Sequence, residues 1–526
     1  MGVWSDHNPS IGFAHSRLSI LDLSSAGNQP MHSSSSNYVI IFNGEIYNHK
    51  SLRSELETVN RRNWLGHSDT ETLLAAIEEW GLKKTLVKAK GMFAIALWDK
   101  DSNKLSLACD RIGEKPLYYG WVNNQFVFSS ELKSIKVFPE FSNSIDRNSL
   151  ALFLRFNSIP APFSIYKDIF KLEPGQVVEI NSQSKKLEKY KFWSIEEVYK
   201  NGFENKFHGS SVQAINQLEN ILSKAVSSQM QSDVPLGAFL SGGIDSSTIV
   251  ALMQSHSNSQ VNTFTIGFNS KEFDESKHAE MVANHLGTNH FNKFVTERDA
   301  LDVIPNLPNI YDEPFADSSQ IPTYLVSKFA KQKVTVALSG DAGDELFGGE
   351  NRYIFNQKMF KNISKTPNSI KKLMSKIMFS LSEENWNFIL RRLTRNRYSN
   401  IGHKIHKTGN ILSSKSIRDL HFKLISQIQN PSDWLKNSNE YETVFNDNKE
   451  RFKELDSVEI MMAYDLISYL PTDILTKVDR AAMSVSLETR VPFLDTDVIK
   501  FSASLPMEFK IRNGVSKWLS LIHISE

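Results

Sequence analysis

The sequence predicts a protein of two parts, an α+β region with antiparallel sheets followed by an α/β region with a parallel sheet. Short apolar runs separated by polar turns dominate the first 190 residues. From about residue 212, strand-like and helix-like segments alternate instead. A polar stretch at 181–210 separates the two patterns. We therefore place the boundary near residue 205 and expect domains at 1–190 and 205–526.

In the first region, hydrophobic runs, turn residues and capping residues predict strands and two helices. The predicted strands are Val39–Phe42, Met92–Trp98, Lys104–Ala108 and Gln125–Ser129, and the helices are Lys50–Thr58 and Asp69–Trp80. Asn43-Gly44 is a turn signal that ends the first strand. Ser68 suits the N-cap of the second helix, because Glu71 stands at the capping-box position.

In the second region, the alternation predicts a parallel sheet covered by helices. The strands are Ala238–Leu240, Asn262–Gly267 and Val334–Leu338, and the helices are Val212–Gln229, Thr248–Ser255, Ser276–Leu286 and one within Ala316–Ala330. Residues 358–450 look helical, and the segment 361–420 holds 13 Lys and Arg against 3 Asp and Glu. We interpret that basic segment as a solvated helical insert, because it lacks the aromatic and glycine pattern of an RNA-binding module.

Composition excludes several classes of protein. Lys plus Arg total 60 and Asp plus Glu total 59, which leaves no global electrostatic case for binding nucleic acid or an anionic membrane. The single cysteine, Cys109, cannot form an internal disulfide or a four-cysteine zinc site, and we expect it to be a small buried hydrophobe. The first residues lack the features of a signal peptide, and no apolar run approaches 18 residues. We expect a soluble cytoplasmic enzyme.

The strongest local signal is the seven-residue segment Ser241–Ser247, which follows a strand and opens a helix. Glycines let the backbone approach an anion closely, and a helix N-terminus favours negative charge. The hydroxyls of Ser246 and Ser247 can donate to phosphate oxygens, and Asp245 can hold Mg²⁺. The segment has no lysine, so it is not the loop of phosphoryl-transfer enzymes.

This loop resembles the pyrophosphate loop of the N-type ATP pyrophosphatases, which attack the α-phosphate of ATP with an oxygen nucleophile. The segment Leu338–Gly349 supports the resemblance, because it also stands at the end of a strand. The resemblance implies an ATP site with Mg²⁺ on Asp245 and Asp344, where Glu345 is a further candidate ligand, and with Asp341 near the reacting phosphate. The implied ATP-binding residues are Leu240, Ser241, Gly242, Gly243, Asp245, Ser246, Ser247, Ile266, Ser339 and Gly340. The segment Tyr311–Ser319 either lines the acceptor pocket or caps a helix toward solvent.

Over nearly its whole length the chain is similar to the glutamine-dependent asparagine synthetases. The motifs that carry this similarity are His15–Ile20, Gln29–Met31, Asn43–Asn48, Ser68–Glu71, Asp110–Tyr119 and Leu475–Asp495. The similarity implies an N-terminal-nucleophile glutaminase domain with αββα layers, joined to an α/β domain like the adenine-nucleotide hydrolases. Several independent motifs in one order are far more specific than any of them alone.

The resemblance also implies the roles of the glutaminase residues. Arg17 would pair with the α-carboxylate of glutamine as a two-pronged donor. Asp69 and Glu45 would receive its α-ammonium group. Asn43 and the amide of Gly44 would donate to the oxyanion of the tetrahedral intermediate, and the released ammonia would displace AMP from a β-aspartyl adenylate.

Two departures from the family pattern concern the ends of the chain. The family's glutaminase nucleophile is an N-terminal cysteine, whereas this chain starts Met1-Gly2-Val3-Trp4. The family also continues beyond Lys517-Trp518-Leu519 into helices with a Lys-x-Gly-Phe segment. We therefore expect a chain truncated in both domains, one that releases no glutamate from glutamine.

The leading interpretation is asparagine synthesis from aspartate, ATP and glutamine, with ATP and Mg²⁺ as cofactors. Two alternatives stay open: amidation of another carboxylate, such as a sugar acid of a surface polysaccharide or a peptide side chain, and a non-catalytic remnant that binds nucleotide. The expected partners are small molecules, without nucleic acid or membrane, and the chain is compatible with a homodimer.

Overall fold

The computed structural model describes residues 1–7, 10–268, 274–354, 366–393 and 401–519. Its strands are β1 (Gly2–His7), β2 (Ser10–His15), β3 (Met31–His32), β4 (Tyr38–Ile46), β5 (Gly91–Asp99), β6 (Lys104–Cys109), β7 (Tyr118–Val122), β8 (Gln125–Ser129), β9 (Ile169–Lys171), β10 (Gln176–Asn181), β11 (Leu187–Lys191), β12 (Leu236–Phe239), β13 (Asn262–Phe268), β14 (Asn289–Val295), β15 (Val336–Leu338) and β16 (Glu488–Arg490).

The α-helices of the described residues are distributed over both regions. They are His49–Val59, Asp69–Trp80, Leu82–Lys88, Leu132–Lys136, Arg147–Phe156, Ile195–Glu204, Ser211–Gln229, Ile244–His256, Ser276–Leu286, Glu297–Val303, Leu307–Tyr311, Gln320–Ala330, Gly343–Phe347, Asn368–Met378, Glu383–Leu393, Ile401–Leu412, Ile417–Ile425, Ser457–Ile467, Leu475–Met483, Thr496–Ser504 and Met507–Lys510. A π-helical turn, Leu470–Ile474, leads into Leu475–Met483. No helix in these ranges is long and apolar enough to cross a membrane. Parts of the predicted helical segment 358–450, and the end of the chain after residue 519, lie outside the described residues.

The first region has four layers, as its predicted fold class requires. An antiparallel sheet in the order β11-β10-β6-β5-β4-β3 packs one face on the helices His49–Val59 and Asp69–Trp80. Its other face packs on the smaller sheets β8-β7-β9 and β1-β2. Two further helices, Leu132–Lys136 and Arg147–Phe156, cover the far side of β7-β9. Cys109 lies buried at the end of β6, as predicted, and burial raises the pKa of its thiol.

The turn predicted at Asn43-Gly44 is wrong. Both residues lie inside the nine-residue strand β4, where Asn43 pairs with Ala94 and Gly44 with Phe93. Gly44 has a φ of 147°, and a Cβ there would lie 2.0 Å from the carbonyl oxygen of Met92. The glycine is therefore required by the close approach of two strands, and not by a reversal of the chain.

The second region contains the predicted parallel sheet, in the order β14-β13-β12-β15-β16. Strands β13 and β14 are added on one side of β12, whereas β15 and β16 are added on its other side. At such a change of direction the carboxyl ends of the two neighbouring strands, here β12 and β15, flank a crevice. Strands β14 and β16 were not predicted from the sequence. The helix after β12 begins at Ile244, four residues before the predicted start at Thr248.

Buried charged groups join the two regions. Lys115 Nζ donates to Asp479 Oδ1 over 2.7 Å, with side chains 2% and 10% exposed. Arg480 donates to the carbonyl of Ser130 over 2.8 Å. Arg155 donates two hydrogen bonds to the carboxylate of Glu440, from Nε to Oε2 over 2.5 Å and from Nη2 to Oε1 over 2.6 Å. Each contact has one partner in residues 1–190 and one beyond residue 205. Without the other region, Lys115, Asp479, Arg155 and Glu440 would lose the opposite charge that makes their burial tolerable.

The Lys115–Asp479 pair gives a test of this interface. We predict that Lys115→Met lowers the free energy of unfolding by about 3–5 kcal/mol, because it leaves the Asp479 carboxylate buried without its cation. The double variant Lys115→Met/Asp479→Leu should recover most of that loss. Urea denaturation followed by tryptophan fluorescence measures both.

The exposed pair Lys186–Glu188, with side chains 72% and 57% exposed, provides the matched control. Lys186→Met should leave the denaturation midpoint unchanged, because solvent screens that pair. Equal effects of Lys115→Met and Lys186→Met would contradict the assigned role of the buried pair.

Candidate functional site

The Ser241–Ser247 loop is preorganised by its own serines. The hydroxyls of Ser241 and Ser246 lie 3.0 Å apart, and the amide of Gly243 donates to Ser241 Oγ over 3.2 Å. Gly242 has a φ of 79°, which favours glycine. The Oγ of Ser247 is buried and has no hydrogen-bond partner. The loop thus presents a free hydroxyl and the N-terminus of the helix Ile244–His256, which suits an anion.

The second predicted segment lies directly against this loop. It follows β15, the neighbour of β12, at the crevice in the sheet. A Cβ on Gly340 would lie 2.6 Å from the amide nitrogen of Ser246, and one on Gly343 would lie 2.4 Å from Asp245 Cγ. The structure therefore brings the two segments together, and both glycines are required by their close approach.

The apolar residues predicted to frame a base lie on adjacent strands. Leu240 follows β12 and is 1% exposed, and its amide donates to the carbonyl of Phe264. Ile266 is a half-buried residue of β13. The hydroxyl of Thr265 donates to the carbonyl of Leu240, which holds the end of β12 against β13.

Two carboxylates of the crevice share one cation. Lys517 Nζ lies 2.5 Å from Asp245 Oδ2 and 2.7 Å from Asp344 Oδ1. Burial raises the pKa of Asp245 to about 6, although Lys517 acts in the opposite direction. Asp245 Oδ1 is buried and has no hydrogen-bond partner. Glu345, by contrast, is 1% exposed, and burial raises its pKa to about 8.

The donor set at Asp245 and Asp344 fits Mg²⁺, because both residues offer hard carboxylate oxygens and one oxygen is unpartnered. Within the described ranges, no group of three or more His, Cys, Asp or Glu side chains is placed to hold a metal ion. A metal here would therefore take its other ligands from water and from phosphate oxygens.

A cavity of about 1460 Å³ lies between the two regions and is lined by both. The first region contributes residues such as Glu114, Lys115 and Trp193, and the second contributes Asp317, Lys477 and Asp479. Ser318 and Ser319 also line this cavity, so the segment predicted to line an acceptor pocket does face a cavity of sufficient size.

The sequence analysis missed one residue of this cavity, Asp473, and gave no role to another, Lys477, which lies in the quoted motif Leu475–Asp495. Lys477 Nζ donates to Asp317 Oδ2 over 2.9 Å, and Asp473 shares a hydrogen bond with Asp317. Burial and the adjacent Asp317 raise the pKa of Asp473 to about 8. The four-residue spacing of Asp473 and Lys477 places them on one helical face, which is the signal that was available.

Asp341 stands on the second loop near this acidic pair. Its carboxylate accepts a hydrogen bond from the hydroxyl of Ser339. Burial lowers the pKa of Lys477, but the negative charges of Asp317, Asp341 and Asp473 outweigh that effect and raise it. Asp341 of the second loop is therefore close enough to the cavity to act on the charge of Lys477.

The predicted glutamine residues gather at the end of β4. Asn43, Gly44 and Glu45 lie on this strand, and Asp69 opens the helix Asp69–Trp80 beside them. Asp69 accepts from the amide of Ile46 over 2.8 Å and shares a hydrogen bond with Glu45. Burial is the main cause that raises the pKa of Asp69 to about 6 and the pKa of Glu45 well above its usual range.

Arg17, the remaining predicted residue of this group, donates to carbonyl groups of its own loop. Its Nη2 lies 2.9 Å from the carbonyl oxygen of Leu21 and 2.6 Å from that of Asp22. A planar guanidinium held in this way keeps further N–H groups for a carboxylate.

Comparisons with known proteins cover both regions of the chain. The profile of the asparagine synthase family matches residues 217–520, and that of a glutamine amidotransferase domain matches residues 1–193. Putative asparagine synthetase [glutamine-hydrolyzing] 2 of Methanocaldococcus jannaschii is 37% identical over 71% of this chain and 73% of its own. Asparagine synthetase [glutamine-hydrolyzing] 1 of Bacillus subtilis is 33% identical over 98% of this chain and 77% of its own.

Among solved structures, the allosteric regulatory enzyme of purine biosynthesis aligns with 15% identity and a TM-score of 0.27. It covers 54% of this chain and 66% of its own. That similarity is too low to carry an argument.

The acidic pair of the cavity gives a pH prediction. The folded protein keeps a proton on Asp473 up to about pH 8, whereas an ordinary aspartate loses it near pH 4. The free energy of unfolding should therefore fall as pH rises through this window, by at most about 1.4 kcal/mol per pH unit from this group.

Asp473→Asn should remove this pH dependence of the free energy of unfolding. The asparagine amide occupies the same place beside Asp317, Lys477 and Arg352 but does not titrate. Urea midpoints at pH 5.5, 6.5 and 7.5 for both proteins measure the difference. Parallel pH profiles would show that Asp473 does not hold the proton.

Proposed function

The chain belongs to the glutamine-dependent asparagine synthase family, and on this premise we propose that it converts aspartate to asparagine at the crevice and cavity described above. ATP activates the aspartate, and ammonia supplies the nitrogen, which the glutamine-hydrolysing relatives take from glutamine. The observation that carries the proposal is the contact between the two glycine-rich loops, at Gly340 and Gly343, beside a cavity lined by both regions. It supports one site for nucleotide activation and an adjacent place for the acceptor.

In the first step, an oxygen of the aspartate β-carboxylate bonds to the α-phosphorus of ATP. The bond between that phosphorus and the bridging oxygen of the β-phosphate breaks, which gives β-aspartyl adenylate and pyrophosphate. We assign the leaving pyrophosphate to the Ser241–Ser247 loop. The hydroxyls of Ser246 and Ser247 and the start of the helix Ile244–His256 can donate to its oxygens.

The remaining nucleotide residues follow the same assignment. Leu240 and Ile266 would contact the base, and the backbone of Ser339 and Gly340 would contact the nucleotide from the other side. Asp245 and Asp344 would hold Mg²⁺, which neutralises phosphate charge as it develops.

We propose that the acidic pair Asp317–Asp473 receives the α-ammonium group of aspartate. In the free protein Lys477 pairs with Asp317, and burial with Asp317 raises the pKa of Asp473 to about 8, so a bound ammonium group would take the place of the proton on Asp473. A sugar acid, the alternative acceptor, carries no ammonium group for these carboxylates. Lys477 would then face a carboxylate of the substrate.

In the second step, ammonia attacks the activated carbonyl carbon, the carbon–oxygen bond to AMP breaks, and the nitrogen loses a proton. Asp341 is our candidate for the catalytic group here, because it follows β15 at the crevice and its charge acts on Lys477, which lines the cavity. Glutamine would supply the ammonia from the site formed by Arg17, Asn43, Gly44, Glu45 and Asp69. There Asn43 and the Gly44 amide would stabilise the oxyanion.

A homodimer and a cytoplasmic location stay predictions.

The test follows an oxygen atom. With ammonia as nitrogen donor, we predict that aspartate labelled with ¹⁸O in its β-carboxylate transfers one label into AMP. This result is expected because the attacking oxygen stays on phosphorus when the nitrogen displaces AMP. Mass spectrometry of the nucleotides measures it, and the variant Asp245→Asn, measured beside the parent, should form little AMP.

Two outcomes would contradict the proposal. ADP and orthophosphate as products would show attack at the γ-phosphate. Unlabelled AMP would show that water, and not the carboxylate, attacks the nucleotide.

A further inference from the structure

Arg490 belongs to the parallel sheet of the second region, and one nitrogen of its guanidinium group lies beside a residue of the first. It ends strand β16 and is 1% exposed. Its Nη1 donates to the carbonyls of Gln229 and Gln231, each over 2.7 Å, and its Nε donates to Glu488 Oε1 over 2.9 Å. These three bonds fix the plane of the guanidinium group.

The other nitrogen of Arg490 faces the glutamine site. Nη2 is buried and makes no hydrogen bond, yet it lies 3.5 Å from Glu45 Oε1. Glu45 in turn shares a hydrogen bond with Asp69. A carboxyl oxygen of Glu488 lies 2.9 Å from the guanidinium group and one of Glu45 lies 3.5 Å from it, and Asp69 extends this buried acidic cluster through its hydrogen bond with Glu45. A second positive charge would be accepted here, and an α-ammonium group supplies one.

The backbone of Arg490 faces the other site. Its carbonyl oxygen accepts a hydrogen bond from the amide of Ser339 over 2.9 Å. Ser339 continues β15, which pairs with β16 through Leu338 and Arg490. The hydroxyl of Ser339 donates to Asp341. A single residue thus contacts a carboxylate assigned to glutamine and the loop assigned to ATP.

We propose that Arg490 is a positioning residue shared by the two sites: its guanidinium group orients Glu45 for the ammonium group of glutamine, and its carbonyl group orients Ser339 in the nucleotide loop. This inference rests on the proposed function, which assigns Glu45 to glutamine and Ser339 to ATP. Because one residue contacts both Glu45 and Ser339, a small shift of Arg490 that favours one ligand also changes the geometry offered to the other. The two ligands should therefore bind with positive cooperativity, and the effect must be reciprocal.

Isothermal titration calorimetry on the full chain tests the proposal. L-Glutamine is titrated alone and in the presence of saturating ATP and Mg²⁺, and ATP is titrated with and without glutamine. For the parent we expect each ligand to tighten the other by at least about fivefold, by the same factor in both directions.

Arg490→Lys keeps the charge but cannot hold the three fixed bonds and face Glu45 at once. This variant should bind glutamine at least about tenfold more weakly and lose the cooperativity, while ATP alone binds within about twofold of the parent. Arg155→Lys is the matched control, because Arg155 is also a buried arginine at the interface, where it donates hydrogen bonds to Glu440, and it belongs to neither proposed site. It should keep the cooperativity.

The outcomes separate the two proposals. If both ligands bind the parent independently, the role of Arg490 is overturned while the proposed function stands. If Arg490→Lys retains the parent's cooperativity, the role is overturned as well. If the parent binds no glutamine or no ATP, the proposed function itself fails. The parent titrations decide the first and last cases even if Arg490→Lys does not fold.

Discussion

Buried charges must find opposite charges or hydrogen bonds, and in this chain the two regions supply them to each other. Lys115 of the first region needs Asp479 of the second, and Arg155 of the first needs Glu440 of the second. An isolated region would leave these groups buried alone or exposed to water in a changed conformation. The interface therefore bears on both proposed sites, because Lys115 and Asp479 line the cavity and Arg490 lies 3.5 Å from Glu45.

The second constraint is the absence of side chains at a few backbone positions. The two loops of the crevice approach so closely that a methyl group on Gly340 or Gly343 would overlap the backbone of Ser246 or the carboxylate of Asp245. On the other sheet, Gly44 allows β4 to lie against Met92. These contacts place donors and carboxylates where a phosphate or an oxyanion can meet them without reorganisation.

The sequence was informative wherever function depends on local residue types. The Ser241–Ser247 loop was predicted because glycine, serine and a strand-to-helix transition combine within seven residues. Strand β16 was not predicted, because its three residues, Glu488, Thr489 and Arg490, are polar and yet buried. Asn43-Gly44 was misjudged as a turn, because that dipeptide also occurs where a partner strand comes close.

The sequence also could not predict which charged residues pair with one another in the folded protein. Asp317, Asp473 and Lys477 meet only after the chain has folded, and nothing in their local surroundings identifies Asp317 as the partner of a residue more than 150 positions away. Arg490 lies in a motif that was noticed, but its direction across the interface depends on the sheet order.

The central claim is that this chain forms an adenylate of aspartate, and exchange of labelled pyrophosphate into ATP tests it most directly. We predict that ³²P-labelled pyrophosphate enters ATP when aspartate and Mg²⁺ are present, and that galacturonate, a sugar acid without an ammonium group, does not replace aspartate. Exchange that is equally fast without any acceptor, or that requires the sugar acid, would contradict the account.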